Sequence, residues 1–466
     1  MVSSSTGLPQ GQILTTTHLP ITLMIARPTL YRSLLGLILS CSLTFDAYTS
    51  PQAKIMTPRA KQADELIVFR GIDQTEMNRW VDSVYQSLDL EARVGQLIMP
   101  IIYPKPEDKT ALIRRMKQEQ WGGILFQKGL LADQRELTIS LQQESQVPLL
   151  IALDGEWGLY MRLKDAPRYP RNKGLGNYQD LDLIKAYGAE VARQCQLMGI
   201  HINFAPVVDV NINPKNPVIG TRSFGDTPQR VAECAVAYGE GLELGGVLSV
   251  AKHFPGHGDT SEDSHKTLPT VSATRERIDR VELYPFRSYR DAGLGGVMTA
   301  HLRVPAYDAT GKAASLSERI TTDLLRRELG FHGLVFTDAL EMRGAQVSGG
   351  SSVAVEALKA GNDVLLGPSQ PQQAREDILQ AIRRGEVSLA SIEEKCRRIL
   401  AFKFALIIKK KTKEASPADV KELIWTKEEE ALRTRLWQVS TATGESADPT
   451  AKTTAIQTTK ASKARR

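Results

Sequence analysis

The segment GHGDTSEDSH, residues 256–265, holds two histidines and three acidic residues within ten positions. Asp263 and His265 are two positions apart, so in an extended segment their side chains point to the same side. A carboxylate placed in this way can orient an imidazole and raise its basicity. We therefore predict that Asp263 and His265 form a proton-transfer pair on a mobile, glycine-containing loop.

Two other chemistries fit this segment less well. A zinc site would use His253 and His257, but the proline and glycine between them interrupt the helix that an HExxH-type site requires. A solvated loop without function leaves the spacing of the Asp–His pair unexplained. We expect no metal and no cofactor, and a metal-dependent hydrolase remains an alternative.

A second reactive carboxylate is Asp338 in VFTDALEM, which ends an apolar, strand-like run. At that position it should project from the end of the strand, although it could instead cap the following helix. A carboxylate beside a general acid/base is the minimum requirement for cleaving a glycosidic bond through a covalent intermediate. Asp338 is therefore the candidate nucleophile.

Short apolar runs that alternate with amphipathic stretches must position these groups. Eight runs recur between residues 94 and 367: VGQLIMPII, GGILFQ, PLLIALD, HINFAPVVDV, GVLSVAKHF, GGVMTAHL, GLVFTDAL and GNDVLLGP. Continuous apolar strands between helices are typical of a parallel sheet that is buried on both faces. We predict an α/β fold, a (β/α)₈ TIM-like barrel with a single catalytic domain, and keep a doubly wound open sheet as the alternative.

Polar residues accompany most of these runs. They are Asp154, Asp209, Lys252 with His253, His301, Asp338, and Asn362 with Asp363. Chemistry in such a barrel takes place at the carboxyl ends of the strands. We expect these side chains to converge there.

The two ends of the chain differ from this pattern. Residues 1–50 resemble a leader, because SLLGLILSCSLTF at 33–45 has the length of a signal-peptide core. This predicts an exported, periplasmic protein, or a lipoprotein anchored through Cys41; without a functional signal it would be cytoplasmic. We assign residues 51–78 to a lead-in, 79–407 to the barrel, and 408–466 to a charged connector and a disordered tail.

The charge of the chain is uneven. Its net charge is +6, and residues 409–466 contain 13 Lys and Arg against 8 Asp and Glu. The body is therefore close to neutral and offers no basic face for nucleic acid. Cys195, Cys234 and Cys396 fall in helix-like stretches, where we expect them to be small buried residues.

The sequence KHFPGHGDTSEDSH followed by FTDALEM resembles the β-N-acetylhexosaminidase branch of glycoside hydrolase family 3. The segments DGEW, APVVDV, TRSFG and GNDVLL fit the same family, and the resemblance extends from about Trp80 to Phe404. It implies a TIM-like barrel that removes terminal β-linked N-acetylglucosamine from peptidoglycan or chitin fragments with retention of configuration. We expect a monomer whose partner is this carbohydrate substrate.

The resemblance also implies roles for particular residues. Asp338 corresponds to the nucleophile, His265 to the general acid/base and Asp263 to its orienting partner. Sugar-binding roles fall on Asp154, Arg162, Arg222, Lys252 and His253. Asp209 and His257 correspond to residues that shape the loop.

The chain departs from the family pattern beside the first of these residues. Family members often have a Gly-Gly pair and an extra Arg after the first Asp-x-Glu, and Trp157 and Leu159 occupy those places here, which alters the wall of the sugar site. A phosphorylase remains an alternative, because a histidine acid/base does not repel phosphate as a carboxylate would. The same barrel could also serve a β-glucosidase or a sugar-binding pseudoenzyme.

Overall fold

The computed structural model describes residues 66–264, 266–345, 351–409 and 414–442. The chain divides into two units, Met1–Ile55 and Met56–Arg466. The predicted leader with Cys41, the acid/base candidate His265 and the tail beyond residue 442 lie outside the described residues. No helix within the described ranges is long and apolar enough to cross a bilayer.

Each predicted apolar run contains a strand, and two of the runs contain two. The strands are β1 Ile98–Met99, β2 Ile101–Ile102, β3 Gly123–Phe126, β4 Leu150–Leu153, β5 Ile202–Asn203, β6 Leu248–Ser249, β7 Ala251–Phe254, β8 Gly296–Thr299, β9 Leu334–Thr337 and β10 Leu365–Leu366. Every pairing among these strands is parallel. Nearly all of their residues are buried, which explains the continuous apolar runs. The predicted α/β class with parallel strands is confirmed.

The strands follow one another in a regular order. β2, β3, β4, β5 and β6 pair side by side, as do β7, β8 and β9, while β1 pairs with β10. Single parallel bridges join Val207 to Lys252 and Phe336 to Val364. The first bridge connects the segment after β5 with β7, and the second connects β9 with the residue before β10.

Helices occupy most of the connections between strands. Their bounds are Gln74–Ser87, Leu90–Gly95, Lys109–Glu119, Leu131–Glu144, Asn172–Gly176, Leu181–Leu197, Pro228–Leu244, Arg275–Arg280, Leu283–Asp291, Val353–Ala360, Pro371–Arg383, Leu389–Lys403, Val420–Ile424 and Lys427–Ala442. Arg319–Glu328 and Phe404–Ile408 are π-helical. The side chains of Asp73, Asp180 and Ser388 accept backbone N–H groups at three helix starts, which are otherwise without partners.

The helices Leu181–Leu197 and Pro228–Leu244 pack closely against each other at Gly188. A side chain on Gly188 would come within 2.2 Å of the Tyr238 carbonyl oxygen, so the two backbones approach closely only because no Cβ is present. The cysteines of these helices and of Leu389–Lys403 are free and buried, as predicted.

Residues 414–442 belong to the stretch that the sequence assigns to a connector, yet they pack against the body. Arg193 of the helix Leu181–Leu197 donates to the Leu423 carbonyl at 2.8 Å. The indole N–H of Trp437 donates to the Arg168 carbonyl at 3.0 Å. The helix Lys427–Ala442 thus supports the long connection that follows β4.

Candidate active site

Three strands contribute charged and histidine side chains to one pocket of about 450 Å³, a size usual for small-molecule sites. Asp154 directly follows β4 and Asp338 directly follows β9, while β7 contributes two adjacent residues. The register of β7 is irregular between Ala251 and Phe254, and both intervening side chains line the pocket instead of alternating. Six of the eight predicted site residues therefore meet: Asp154, Arg162, Arg222, Lys252, His253 and Asp338.

Five lining side chains, Asp154, Glu156, Arg162, Arg222 and Lys252, form a group that we call the ion-pair cluster. Lys252 Nζ lies 2.9 Å from Asp154 Oδ1 and 2.8 Å from Glu156 Oε1. Arg162 Nη2 donates to Asp154 Oδ2 at 2.7 Å. Arg222 donates from Nε and Nη2 to the two oxygens of Glu156 at 2.9 and 2.7 Å, the bidentate geometry that suits a guanidinium.

These pairings keep the cluster ionised. Burial opposes the charge of Asp154, but Lys252 and Arg162 outweigh it and lower the pKa of Asp154 to about 2. Burial also opposes the charge of Glu156, yet Arg222 and Lys252 hold its pKa well below the usual range. Desolvation works against the Lys252 ammonium, but the two carboxylates raise its pKa. The cluster therefore presents fixed charged donors and acceptors to groups such as hydroxyls.

Glu156 is a site residue that the sequence prediction does not include. Its side chain is buried and joins Arg222 to Lys252. The sequence feature that could have identified Glu156 is its position two residues after Asp154, in DGEW. Because the chain leaves the strand at Asp154, strand alternation no longer predicts which way Glu156 points.

Asp338 presents an ionised carboxylate to the pocket. Its backbone N–H donates to the Thr299 carbonyl of β8 at 2.9 Å, and the Ala339 N–H donates to Oδ1 at 2.8 Å. Burial opposes the charge, but the neighbouring His253 and His301 and the Ala339 N–H outweigh it, so the pKa of Asp338 lies below its ordinary value. A carboxylate in this state can act as a nucleophile.

Asp209 anchors the start of the segment 255–267, which we call the site loop. Its buried carboxylate lies 2.7 Å from His253 Nδ1 and accepts the backbone N–H of His257 at 2.7 Å. Burial opposes its charge, yet the contact with His253 lowers the pKa of Asp209. These contacts agree with the expected loop-shaping part of Asp209.

His257 connects the two halves of the site loop. Its Nδ1 lies 2.8 Å from Thr260 Oγ1, and its Nε2 lies 3.1 Å from Ser264 Oγ. Burial lowers the pKa of His257 to about 4, so the imidazole is neutral at pH 7. The ring acts as an internal brace, in agreement with its expected part in shaping the loop.

In the sequence, the residues of the predicted dyad fall in the second half of the site loop. The carbonyl of Asp263 accepts the backbone N–H of Lys266 at 2.9 Å, and its carboxylate lies 4.0 Å from Lys266 Nζ. Ser264, the next residue, lines the pocket. His265 itself lies outside the described residues.

His301 supports the backbone beside Asp338. Its Nδ1 lies 2.7 Å from Ser315 Oγ, and its Nε2 lies 3.0 Å from the Ala339 carbonyl oxygen. The imidazole is buried. His301 therefore contacts the backbone next to Asp338, which positions the Asp338 carboxylate.

The placement of Asn362 and Asp363 at a carboxyl strand end is wrong. β10 begins at Leu365, so both residues precede the strand and lie at its amino end. Asp363 there forms 2.5 Å ion pairs with Arg326 and Arg398. The apolar residues after Asp363 are themselves the strand, and a two-residue strand gives little pattern from which its ends can be predicted.

The segment after β4, residues 157–171, which we call the wall segment, contributes Trp157, Met161 and Arg162 to the lining of the pocket. Gly129 donates its N–H to the Arg162 carbonyl at 3.0 Å and so holds the middle of the segment. Trp157 lines the pocket, whereas Leu159 is fully buried. Of the two departures from the family pattern, Trp157 is thus the one that changes the pocket.

Comparison with known proteins identifies the class. The profile of the glycosyl hydrolase family 3 N-terminal domain matches residues 89–402. Beta-hexosaminidase A of Pseudoalteromonas piscicida is 38% identical over 288 residues, which are 56% of this chain and 48% of that protein. A beta-hexosaminidase of Chromobacterium violaceum is 37% identical over 263 residues, 54% of this chain and 73% of that protein.

Solved structures agree with this result. A family 3 β-N-acetylglucosaminidase from Paenibacillus sp. str. FPU-7 has a TM-score of 0.69 and 35% identity, and the match covers 76% of this chain and 69% of that one. The beta-glucoside phosphorylase BglX bound to 2FGlc has a TM-score of 0.73 and 25% identity, with 78% and 67% covered.

The class that these matches define is that of the glycosidases. The chain belongs to glycosyl hydrolase family 3, as the resemblance implies. It spans about half the length of the Pseudoalteromonas relative and about three quarters of the Chromobacterium relative.

Proposed function

We propose that the protein is an exo-acting, retaining glycosidase that releases terminal β-linked N-acetylglucosamine from oligosaccharides such as peptidoglycan or chitin fragments. Asp338 is the nucleophile, His265 the general acid/base and Asp263 the residue that orients His265. The observation that carries this proposal is the ionised Asp338 carboxylate at the end of β9, in the same pocket as the ion-pair cluster.

The reaction has two steps that invert the anomeric carbon in turn. In the first, an oxygen of Asp338 bonds to the anomeric carbon while the bond to the leaving oxygen breaks and that oxygen takes a proton from His265. In the second, His265 takes a proton from water, whose oxygen bonds to the anomeric carbon and frees the Asp338 carboxylate. Two inversions give net retention.

The ion-pair cluster suits the recognition of a sugar. A carboxylate such as Asp154 accepts hydrogen bonds from hydroxyl groups, while Lys252 and Arg162 donate to hydroxyl or acetamido oxygens. Because these side chains already hold one another, they do not have to be ordered when the sugar enters.

The site loop supports the assignment of the acid/base. Asp209 holds the start of the loop and His257 connects its two halves. Ser264, which stands between Asp263 and His265 in the sequence, lines the pocket. The family's use of a His–Asp dyad, carried to these two positions by the sequence motif, is the argument for His265. The preference for N-acetylglucosamine follows the names of the hexosaminidase relatives.

The proposal includes closure of the strands into a (β/α)₈ barrel. β1 with β2, and β6 with β7, each occupy one apolar run, so the ten short strands correspond to eight. The bridges from Val207 to Lys252 and from Phe336 to Val364 are parallel pairings between consecutive runs. Together with the pairing of β1 and β10, this order is the one that a closed barrel requires.

One assay tests the function. The wild-type protein and Asp338→Ala are incubated with an aryl β-N-acetylglucosaminide in the presence of EDTA. We expect turnover by the wild type and a loss of about a thousandfold or more in kcat for the variant, because no covalent intermediate can form. An inactive wild type, or a variant that keeps its rate, would contradict the proposal.

The same assay distinguishes the competing activities. A metal-dependent hydrolase would lose activity in EDTA, and an aryl β-glucoside tests for β-glucosidase activity. The likeness to a beta-glucoside phosphorylase makes phosphate the acceptor to examine. With phosphate added, a phosphorylase would release the sugar 1-phosphate, whereas we expect free N-acetylglucosamine.

A further inference from the structure

Trp157 lies in the pocket wall next to a buried charged residue. Apart from histidine rings, its indole is the only aromatic group that lines the pocket within the described ranges. The side chain is half-buried, whereas that of the preceding Glu156 is fully enclosed among Arg222 and Lys252. A partly exposed tryptophan in a ligand pocket keeps apolar surface in water until something covers it.

The backbone around Trp157 is fixed on both sides. Asn203 accepts the Gly155 N–H at 2.8 Å and donates to the Gly155 carbonyl at 3.2 Å. Gly158 has φ +79°, and a Cβ there would come within 2.6 Å of the Tyr169 ring, so the turn packs directly on that ring. Trp157 is therefore at the tip of a tight turn that has little freedom to move.

The ring itself is also held. The guanidinium of Arg171 lies over the Trp157 ring at 3.6 Å from its centroid, a cation–π contact. One face of the indole is therefore covered by protein. The surface that Trp157 gives to the pocket is a rigid apolar plane, and binding against it costs little conformational entropy.

We propose that Trp157 is the surface on which the sugar ring of the leaving group stacks. The inference rests on the proposed function, in which the ion-pair cluster and Asp338 hold the sugar that is released. A pyranose ring has an apolar C–H face that can cover an aromatic plane, and the electron-rich face of the indole attracts polarised C–H groups. Trp157 is more exposed than Glu156 and takes no part in the ion pairs, so the face of its ring that Arg171 does not cover can contact the part of the substrate that the ion-pair cluster does not hold.

The experiment compares two substrates that share the released sugar. β-N-acetylglucosaminyl fluoride has no ring in its leaving group, whereas the β-linked disaccharide of N-acetylglucosamine has one. We expect Trp157→Leu to lower kcat/KM for the disaccharide about tenfold and to leave that for the fluoride within about twofold. Trp157→Phe, which keeps a flat ring, should retain most of the disaccharide activity.

Trp80→Leu is the matched control, because Trp80 packs on Phe404 and does not line the pocket. It should not change the ratio of the two kcat/KM values. Equal losses of Trp157→Leu on both substrates would overturn the inference, as would no loss on the disaccharide or an equal loss in Trp157→Phe. A wild type that cleaves neither substrate would instead refute the proposed function, and the inference with it.

Discussion

At the scale of single residues, His257 joins two parts of the site loop through a neutral imidazole. Its nitrogens contact Thr260 and Ser264, and Asp209 accepts its backbone N–H. All three contacts hold the loop in its folded conformation. The protonation state of His257 is therefore coupled to the stability of the loop.

This coupling predicts a pH dependence of stability. The pKa of His257 falls from 6.5 to about 4 on folding, so the unfolded chain binds the proton more readily. The contribution is complete above pH 6.5 and is lost as the pH falls from 6.5 towards 4, by at most about 3 kcal/mol. The free energy of unfolding, measured by urea titration, should decline less steeply in His257→Gln over this range.

A comparison at one further pH completes this experiment. Above pH 7 the imidazole is neutral in both states, so the pH slopes of the two proteins should be alike. If the slopes also agree between pH 6.5 and 4, the site loop does not depend on neutral His257.

At the scale of secondary-structure elements, the helix Lys427–Ala442 contacts the wall segment and stabilises it. Trp437 donates to the Arg168 carbonyl, and Trp425, just before this helix, donates to the Asp165 carbonyl at 3.1 Å. Arg162 of the ion-pair cluster lies three residues before Asp165. The helix lies beyond the residues that the family profile matches, yet it supports a wall of the pocket.

This arrangement predicts an effect of Trp437→Phe. The substitution keeps the apolar ring and removes one hydrogen bond, which contributes about 1 kcal/mol. We expect KM for an aryl β-N-acetylglucosaminide to rise about threefold with little change in kcat, since Asp338 is untouched. Trp80→Phe serves as the control and should leave KM unchanged. A fall in kcat without a change in KM would mean that the helix does not act through the wall segment.

The sequence predicts the site residues at strand ends better than it predicts the contacts that hold them in place. Asp154 and Asp338 are predictable because each ends an apolar strand, and strand ends meet at one edge of a parallel sheet. Glu156 and the packing of residues 414–442 depend on contacts between segments distant in sequence, such as that of Trp437 with Arg168. Local patterns carry no information on such contacts. The wrong placement of Asn362 has a related cause, since a strand as short as β10 has no distinct ends in the sequence.

At the scale of the whole molecule, positive and negative charges are nearly equal in number before residue 409, and also in the pocket. Excess positive charge is concentrated after residue 408. Within the pocket three cations, Arg162, Arg222 and Lys252, stand against three enclosed or half-buried carboxylates, Asp154, Glu156 and Asp338, with the exposed Glu341 in addition. The cations are thus already neutralised before any substrate arrives.

The ion-pair cluster therefore has a consequence for the medium in which the protein works. Dissolved ions weaken attraction between charges over distances beyond about 10 Å, but they have little influence on pairs enclosed at contact. An uncharged oligosaccharide is not steered by a field, so its capture should be indifferent to ionic strength. We expect kcat/KM for a chitin disaccharide to stay constant from dilute buffer to the salinity of sea water, as measured by release of N-acetylglucosamine. A steep decline with salt would mean that long-range charge draws the substrate in. Such salt tolerance would come from the internal pairing of the site and would need no adaptation of the protein surface.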